Sequence, residues 1–289
     1  MESELWRRVY RLVMDLGKHQ KPKGSTYSDA EIVVTYLWGV LNDRPQSWAC
    51  QRENWPLCYR RRRLPSQSRV SRRLKTPSVQ ALLDRIQQVG VDHSQPVLCK
   101  FIDAKPLSVS RVSKDKDAKF GRAEGGFANG YKLYAIVDNF HRIYDWRVQP
   151  MNVSEGAMAR ELIPSLHGEG YLIGDNIYDD TRLYDIASEH GHQLVAPRKK
   201  PNTGFRMGYL SPARLRSAQI LEGFQRDFGK GLLNLRRSIE RFFGNLTSYG
   251  PGLKPLPAWV RTLTRVTRWV QAKIIFNQIR IQIINPKAA

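Results

Sequence analysis

Between residues 97 and 197 the sequence switches repeatedly between short apolar runs and longer segments whose apolar residues have helical spacing. In chain order the predicted elements are a strand in VLCKFIDA (97–104), a hairpin of GYKLYAIVD (130–138) and RIYDWRVQP (142–150), a helix in SEGAMARELIPSL (154–166) capped by Ser154, a strand in GYLIGD (170–175), a helix in DDTRLYDIASEHG (179–191) and a strand in HQLVAP (192–197). This order predicts a mixed α/β sheet flanked by helices.

The first 92 residues have the spacing of a helical region. SDAEIVVTYLWGVLN (28–42) opens with a possible capping box of Ser28 and Glu31. In LPSQSRVSRRLK (64–75), Pro65 and Ser66 indicate a helix start. Val70 and Leu74 would point inward and Arg69, Arg72 and Arg73 outward, as in the second helix of a helix-turn-helix unit. An ordinary solvated basic face explains this pattern equally well.

We therefore divide the chain into a helical region at 1–92 and an α/β domain at 93–289. The second part is expected to contain an irregular basic loop at about 198–230. It continues with a helix in LLNLRRSIERFFGNL (232–246) and a C-terminal helix from about 257 to 284, although IRIQII (279–284) also alternates like a strand.

The charge of the chain indicates a polyanionic partner. There are 47 Lys and Arg residues against 26 Asp and Glu residues, which gives a formal net charge of +21. Three acid-free zones, 54–83, 195–221 and 241–289, hold eight, six and eight basic residues. Because this charge is not gathered on one amphipathic helix, nucleic acid is favoured over a membrane surface as the partner.

Other features limit where the chain would act. No stretch is long and apolar enough for a transmembrane helix, and the N-terminus lacks a cleavable signal pattern. Three irregularly spaced cysteines, Cys50, Cys58 and Cys99, suit neither a disulfide framework nor a zinc site. We expect a soluble, cytoplasmic, nucleoid-associated protein.

Three acids are candidates for chemistry. Asp103 and Asp175 each follow an apolar run at the end of a predicted strand, where ligands of α/β sheets gather. Glu240 lies in RRSIERFFGNL, and no acid follows it in the chain. Each aspartate could simply cap the next turn, and Glu240 could pair with Arg236 within its helix. Together, in a basic chain, the three suit a shared Mg²⁺ or Mn²⁺ site, with two ions about 4 Å apart.

Nearby acids are alternatives to these positions. Asp179 and Asp180 could replace the second acid, and Glu222 and Asp227 could replace the third.

These motifs resemble the DDE-type transposases of bacterial insertion sequences. RRSIERFFGNL (236–246) matches the pattern R-R-x-[I/V]-E-R-x-F-x-x-L of the helix that carries the last acid in one group of them. FIDAKPLSV (101–109), GYKLYAIVD and GDNIYDD (174–180) resemble the strands and turn around the first two acids, and PSQSRVSRRL (65–74) resembles the N-terminal DNA-binding helix. Some relatives place Tyr seven residues before the Glu and Lys seven after it, where this chain has Leu233 and Thr247.

The resemblance implies an RNase H-like catalytic core with Asp103, Asp175 and Glu240 as catalytic residues and ligands of Mg²⁺ or Mn²⁺. It implies cleavage at each element end and transfer of the released 3′-OH to target DNA, by at least a homodimer on the terminal inverted repeats. Trp259 and Trp269 could stack on flipped bases or simply pack in a core. The predicted DNA contacts are Arg61, Arg62, Arg63, Arg69, Arg72, Arg73, Lys199, Lys200, Arg236, Arg237 and Arg241, with segments 198–216 and 254–273 following backbone phosphates.

Two other interpretations remain open at this point. One is an RNase H-like nuclease without strand transfer, and the other is a catalytically inactive DNA-binding relative of a transposase.

Overall fold

The computed structural model describes residues 2–18, 21–89, 97–110, 112–123, 125–200 and 211–284. The helices are α1 (Glu2–Leu16), α2 (Asp29–Leu41), α3 (Gln46–Ala49), α4 (Gln67–Arg73), α5 (Pro77–Val89), α6 (Glu155–Leu162), α7 (Thr181–Glu189), α8 (Pro212–Glu222), α9 (Arg226–Leu235), α10 (Arg237–Thr247) and α11 (Leu263–Ile284). The strands are β1 (Cys99–Ser108), β2 (Lys119–Ala123), β3 (Gly126–Asp138), β4 (Ile143–Pro150), β5 (Gly170–Ile173) and β6 (His192–Val195).

The contacts divide the chain into two compact units. The helical unit comprises Met1–Asp92, Leu246–Val260 and Thr264–Ala289, and the sheet unit comprises His93–Asn245 with Arg261–Leu263. The contacts thus group most of α11 with the N-terminal helices, whereas the sequence-based division keeps it with the predicted catalytic domain.

The helical unit is built around α2. The predicted capping box starts this helix, because the Ser28 side chain accepts from the Glu31 N–H and the Glu31 side chain accepts from the Ser28 N–H. Its residues from Asp29 to Val40 are buried on nearly every side, apart from Glu31. A helix that is buried on nearly every side is typical of a core position. The helix α2 therefore buries more than the one face that an amphipathic helix would bury.

The helix α4 begins after Ser66, as predicted, and buries Val70 and Leu74. Arg69 and Arg72 are exposed, as expected. The expectation that Arg73 also faces outward is wrong. Its guanidinium pairs with the buried carboxylate of Asp29 and donates to Ser25 Oγ at 2.6 Å.

The sheet unit contains a six-stranded mixed sheet in the order β2-β3-β1-β5-β6, with β4 also paired to β3. The predicted order of strand, hairpin, helix, strand, helix and strand is confirmed by β1, β3–β4, α6, β5, α7 and β6. The strand β2 was not predicted, and it pairs antiparallel with the first residues of β3. In contrast, β1, β5 and β6 run parallel.

Alternate residues of β1 face opposite sides of this sheet. Ile102 belongs to the core formed with Met158 and Leu162 of α6 and Leu183 and Ala187 of α7. On the other face, the Lys105 ammonium lies 5.9 Å from the centre of the Phe243 ring of α10. Asp103 shares the face of Lys105, so the strand directs its carboxylate to the side that carries α10.

The predicted irregular loop at about 198–230 is wrong where α8 and α9 occur. Ser211 caps α8 by accepting from the Arg214 N–H, and Pro212 occupies the first turn. Residues 201–210 lie outside the described residues. The predicted helix over 232–246 is interrupted at Arg236, which ends α9 before α10 begins. The C-terminal helix is confirmed, and it includes IRIQII.

Within the described residues, no helix has both the length and the apolar character needed to span a bilayer.

Candidate active site

Asp103 and Asp175 occupy equivalent positions on neighbouring parallel strands. The ladder between β1 and β5 pairs Cys99 with Tyr171 and Phe101 with Ile173, residues that differ by 72 in number. Asp103 and Asp175 lie two residues beyond the last of these pairs and differ by the same 72. The parallel register therefore brings the two acids side by side, just outside the carboxyl end of β5. Asp103 itself lies within β1, which continues to Ser108, so the expectation that this acid ends its strand is wrong.

The Asp103 carboxylate is largely buried and contacts two groups. One oxygen accepts from the Ala104 N–H at 2.8 Å, and the other lies 3.4 Å from Nη2 of Arg236. Burial raises the pKa of Asp103 to about 6, and the charges of Asp175 and Glu155 act in the same direction. The Ala104 N–H and Arg236 oppose that shift without cancelling it. Asp103 is thus an acid whose negative charge lacks full compensation.

Asp175 caps the turn that follows it, as the alternative interpretation of this residue predicted. Its carboxylate accepts from the Ile177 N–H at 2.8 Å and starts the 3-10 helix Asn176–Tyr178. This contact orients the carboxylate and leaves further lone pairs for another partner. Capping and ligand binding are therefore compatible at this position.

Glu240 is connected to Asp103 through Arg236. Nη1 of Arg236 lies 3.8 Å from Oε1 of Glu240, one helical turn away, so the intrahelical pair considered above is present. The Glu240 side chain is 59% exposed, whereas Ile239 and Phe242 beside it are buried. The apolar face of α10 thus anchors the helix, and one guanidinium contacts two of the three predicted acids.

The alternative acids have structural partners. Asp179 is buried and accepts two hydrogen bonds from Arg214, at 2.9 and 3.0 Å. Asp180 caps α7 through the Arg182 N–H. Glu222 pairs with Arg198 at 2.7 Å, and the fully exposed Asp227 lies 3.6 Å from Lys230.

Sequence reasoning missed an ion pair beside Asp103. Lys132 of β3 donates to Glu155 at the start of α6, at 2.9 Å, and both side chains are largely buried. The charge of Glu155 raises the pKa of Asp103 further. Burial first and then the charge of Glu155 raise the pKa of Tyr178, whose buried hydroxyl has no hydrogen-bond partner among the described residues. The sequence does contain a signal for this ion pair, because Lys132 lies inside the apolar run GYKLYAIVD and a buried charge needs a partner.

A shared metal site would require the three acids to lie close together. Within the described ranges, no three His, Cys, Asp or Glu side chains lie close enough together to hold one ion. Asp103 and Asp175 nevertheless offer the carboxylate oxygens that Mg²⁺ and Mn²⁺ prefer, and the uncompensated charge at Asp103 suits a cation. These two residues fit a divalent ion, whereas Glu240 is held by Arg236.

The predicted DNA contacts fall into three groups by environment. Arg61 is half-buried against Glu31, Arg73 is paired with Asp29, and Arg236 lies between two acids. Within the segment 254–273, Lys273 is fully buried and paired with Asp43, so it does not offer charge to a backbone phosphate. The remaining predicted contacts are exposed: Arg62, Arg63, Arg69, Arg72, Lys199, Lys200, Arg237 and Arg241.

The mixed sheet flanked by helices places the chain in the RNase H-like fold class. A family model described as "Transposase DDE domain" matches residues 98–257, more than half of the chain. The chain belongs to this family, and it is a DDE-type insertion-sequence transposase. The family acts on DNA in recombination as polynucleotidyl transferases and generally uses divalent metal ions. No curated protein matches the sequence.

Proposed function

We propose that this chain cuts and joins DNA at the ends of an insertion sequence, with Asp103, Asp175 and Glu240 as its catalytic acids. The observation that carries the proposal is the shared register of Asp103 and Asp175, with Arg236 in contact with both Asp103 and Glu240. Asp103 and Asp175 would hold Mg²⁺ or Mn²⁺. Glu240 would complete the ligand set once its side chain leaves Arg236, which its exposure permits.

The reaction comprises two displacements at phosphorus. A water oxygen first attacks the phosphodiester at the element end, and the bond to the 3′ oxygen breaks to release a 3′-OH. That hydroxyl then attacks a target phosphodiester, and the target's own 3′ oxygen leaves. When bound, two divalent ions would supply activation of the nucleophile and stabilisation of the leaving oxygen.

The protein's own residues have distinct parts in this scheme. The Ala104 N–H and the Ile177 N–H orient the carboxylates of Asp103 and Asp175. Arg236 restrains Glu240 before DNA arrives and, once displaced, can contact a phosphate beside the scissile bond. Exposed Arg237 and Arg241 on the same helix are placed to contact flanking phosphates.

The exposed arginines of the helical unit would recognise the element ends. Arg69 and Arg72 project from α4, and Arg62 and Arg63 precede it. Joining two ends to one target requires that both be held together, so we propose that the chain acts as a homodimer on DNA.

The test uses labelled DNA that carries the terminal inverted repeats flanking the gene. Asp103→Asn, Asp175→Asn and Glu240→Gln should each abolish cleavage in the presence of Mg²⁺ while DNA affinity remains close to that of the native chain. Asp227→Asn is the matched control for Glu240, because Asp227 is a fully exposed acid of the preceding helix. It should cleave at the native rate.

Product analysis separates this proposal from the remaining alternatives. Joined products together with nicked ends support a transposase. Nicked ends without joined products would indicate a nuclease, and binding without any cleavage would indicate an inactive relative. Native-rate cleavage by any one of the three acid variants would remove that residue from the catalytic set.

A further inference from the structure

A cavity of about 160 Å³ lies inside the helical unit, and none of its lining residues is assigned to catalysis. Its walls come from the end of α2 and the residues after it, from α4, and from α11 and the segment that precedes α11. Arg44, Arg265 and Arg268 line the cavity together with Trp259 and Trp269.

The lining of this cavity carries uncompensated positive charge. It includes three arginines and neither an aspartate nor a glutamate. Arg268 is only 7% exposed, and it donates hydrogen bonds to the main-chain oxygens of Thr264 and Leu74, at 3.2 and 3.4 Å. Burial lowers the pKa of Arg268, and the charge of Arg265 acts in the same direction. A buried cation normally has an anionic partner, and the cavity lining offers none to Arg268. A ligand could supply this negative group.

The aromatic side chains add a flat surface to this positive site. Trp269 is buried, and the Lys273 ammonium lies 5.1 Å from the centre of its ring. Trp259, in contrast, is 44% exposed although it lines the cavity. An accessible indole beside arginines is suited to stacking on a nucleobase while the cations hold a phosphate.

Polar groups on α4 complete the lining. Ser71 Oγ donates to Gln46 Oε1 at 2.9 Å, and Gln67 lies on the same helix one turn earlier. These groups offer a hydroxyl and amides to the edge of a base or to a sugar.

The size of the cavity limits the ligand. Sites that enclose a whole small molecule typically measure about 300–1,000 Å³, so this cavity is too small to enclose a nucleotide. It can hold a phosphate group while the attached base lies at its mouth, against exposed Trp259. We propose that it binds a single nucleotide unit of a DNA strand, with the phosphate among Arg44, Arg265 and Arg268 and the base against Trp259. The proposal rests on the proposed function only in taking DNA as the source of that nucleotide.

The test measures binding by the full chain through its tryptophan fluorescence and through the anisotropy of a dye-labelled, short single-stranded oligonucleotide. The oligonucleotide should bind and quench the fluorescence, and 5′-dAMP should compete with it more weakly. Deoxyadenosine or inorganic phosphate alone should compete about tenfold more weakly than 5′-dAMP, since each offers only half of the recognised chemistry.

Two exposed side chains allow the site to be changed without disturbing buried Arg268. Arg265→Gln and Trp259→Leu should each weaken oligonucleotide binding about tenfold, and Trp259→Leu should also remove much of the quenching. Arg11→Gln, at an exposed arginine of α1 outside the cavity, is the matched control and should bind like the native chain. Thermal unfolding of each variant verifies that it is folded.

The outcomes separate this site from the catalytic proposal. Asp175→Asn should retain full oligonucleotide binding, so a failure of catalysis leaves the cavity proposal standing. Native affinity in both Arg265→Gln and Trp259→Leu would overturn the site. If inorganic phosphate competes as strongly as 5′-dAMP, the claim that the site recognises a nucleotide is contradicted. If 5′-dAMP competes as strongly as the oligonucleotide, the claim that the nucleotide belongs to a DNA strand is contradicted.

Discussion

Arg236 contacts two acids that lie 137 positions apart in the chain, Asp103 and Glu240. Its planar guanidinium allows both contacts at once, which a single ammonium cannot reproduce. The break between α9 and α10 at this residue places the guanidinium at the start of the helix that carries Glu240. The side chain therefore acts as a positioning group for the candidate site.

This arrangement predicts a specific effect of Arg236→Lys. The cleavage rate at saturating DNA should fall about tenfold, because one of the two contacts is lost, a loss of about 1.4 kcal/mol. Arg237→Lys is the matched control, since Arg237 is the exposed neighbour and should affect DNA affinity rather than the saturated rate. A native saturated rate in Arg236→Lys would contradict the positioning role.

A second prediction concerns His192, which is buried next to Lys100. Nδ1 of His192 lies 2.7 Å from the His190 carbonyl and Nε2 lies 2.9 Å from the Lys100 ammonium, so a neutral ring donates at Nδ1 and accepts at Nε2. Burial lowers the pKa of His192, Lys100 and His190 act in the same direction, and the His190 carbonyl and Glu169 oppose them. Burial also lowers the pKa of Lys100.

The sign of the resulting pH dependence follows from linkage. As pH falls from about 7, the unfolded chain protonates this histidine near its ordinary pKa of about 6.5 while the folded chain resists. The free energy of unfolding should therefore decrease toward about pH 5, and it should decrease less steeply in His192→Gln. Urea unfolding over this pH range measures both slopes, and equal slopes would contradict the prediction.

At the scale of single elements, α4 contains two arginines with opposite roles. Arg73→Gln should lower the free energy of unfolding by about 3 kcal/mol, because it leaves the buried Asp29 carboxylate without its cation. Arg72→Gln, at the exposed neighbour, should change stability by about 0.5 kcal/mol or less and should weaken DNA binding. Urea unfolding and DNA titration of both variants test these two roles. Equal stabilities of the two variants would contradict the structural role of Arg73.

Local pattern was sufficient for the elements with strong periodicity. The strands β1, β5 and β6 and the β3–β4 hairpin were predicted from apolar runs separated by short polar turns, and α2 was predicted from its capping box. The helix α8 was missed because it buries Ala213, Ser217 and Ile220, a face with too few large apolar residues to stand out. Ser211 and Pro212 nevertheless mark the start of this helix in the sequence.

Pairing between distant residues could not be derived from local pattern. Arg73 has the same local context as Arg72, and only the packing of α2 against α4 brings Asp29 within reach. The same limit applies to Arg236 and Asp103, and to Lys132 and Glu155. The two aspartates were predicted from the ends of apolar runs, and the Arg236–Glu240 pair was considered from its helical spacing. The contact of Arg236 with Asp103 was not predicted.

For the whole molecule, the net charge of +21 predicts DNA binding that weakens steeply with salt, through release of counterions from the DNA. Only exposed cations contribute to this effect. Lys273 is fully buried and bonded to Asp43, so Lys273→Met should leave the salt slope unchanged, whereas removal of exposed Lys199 and Lys200 should reduce it. Anisotropy titrations over a range of salt concentrations measure the slope, and a flat response would contradict the prediction.

The pairing of β1 with β5 has a consequence for comparing this chain with related sequences. Hydrogen bonds between main chains, rather than a count of intervening positions, align Asp103 with Asp175. Connecting segments in kindred sequences could therefore lengthen or shorten without separating the two carboxylates. A one-residue slip within either strand, however, would turn its aspartate to the opposite side. Searches for such acid pairs should accordingly weigh the strand frame above the distance along the polypeptide.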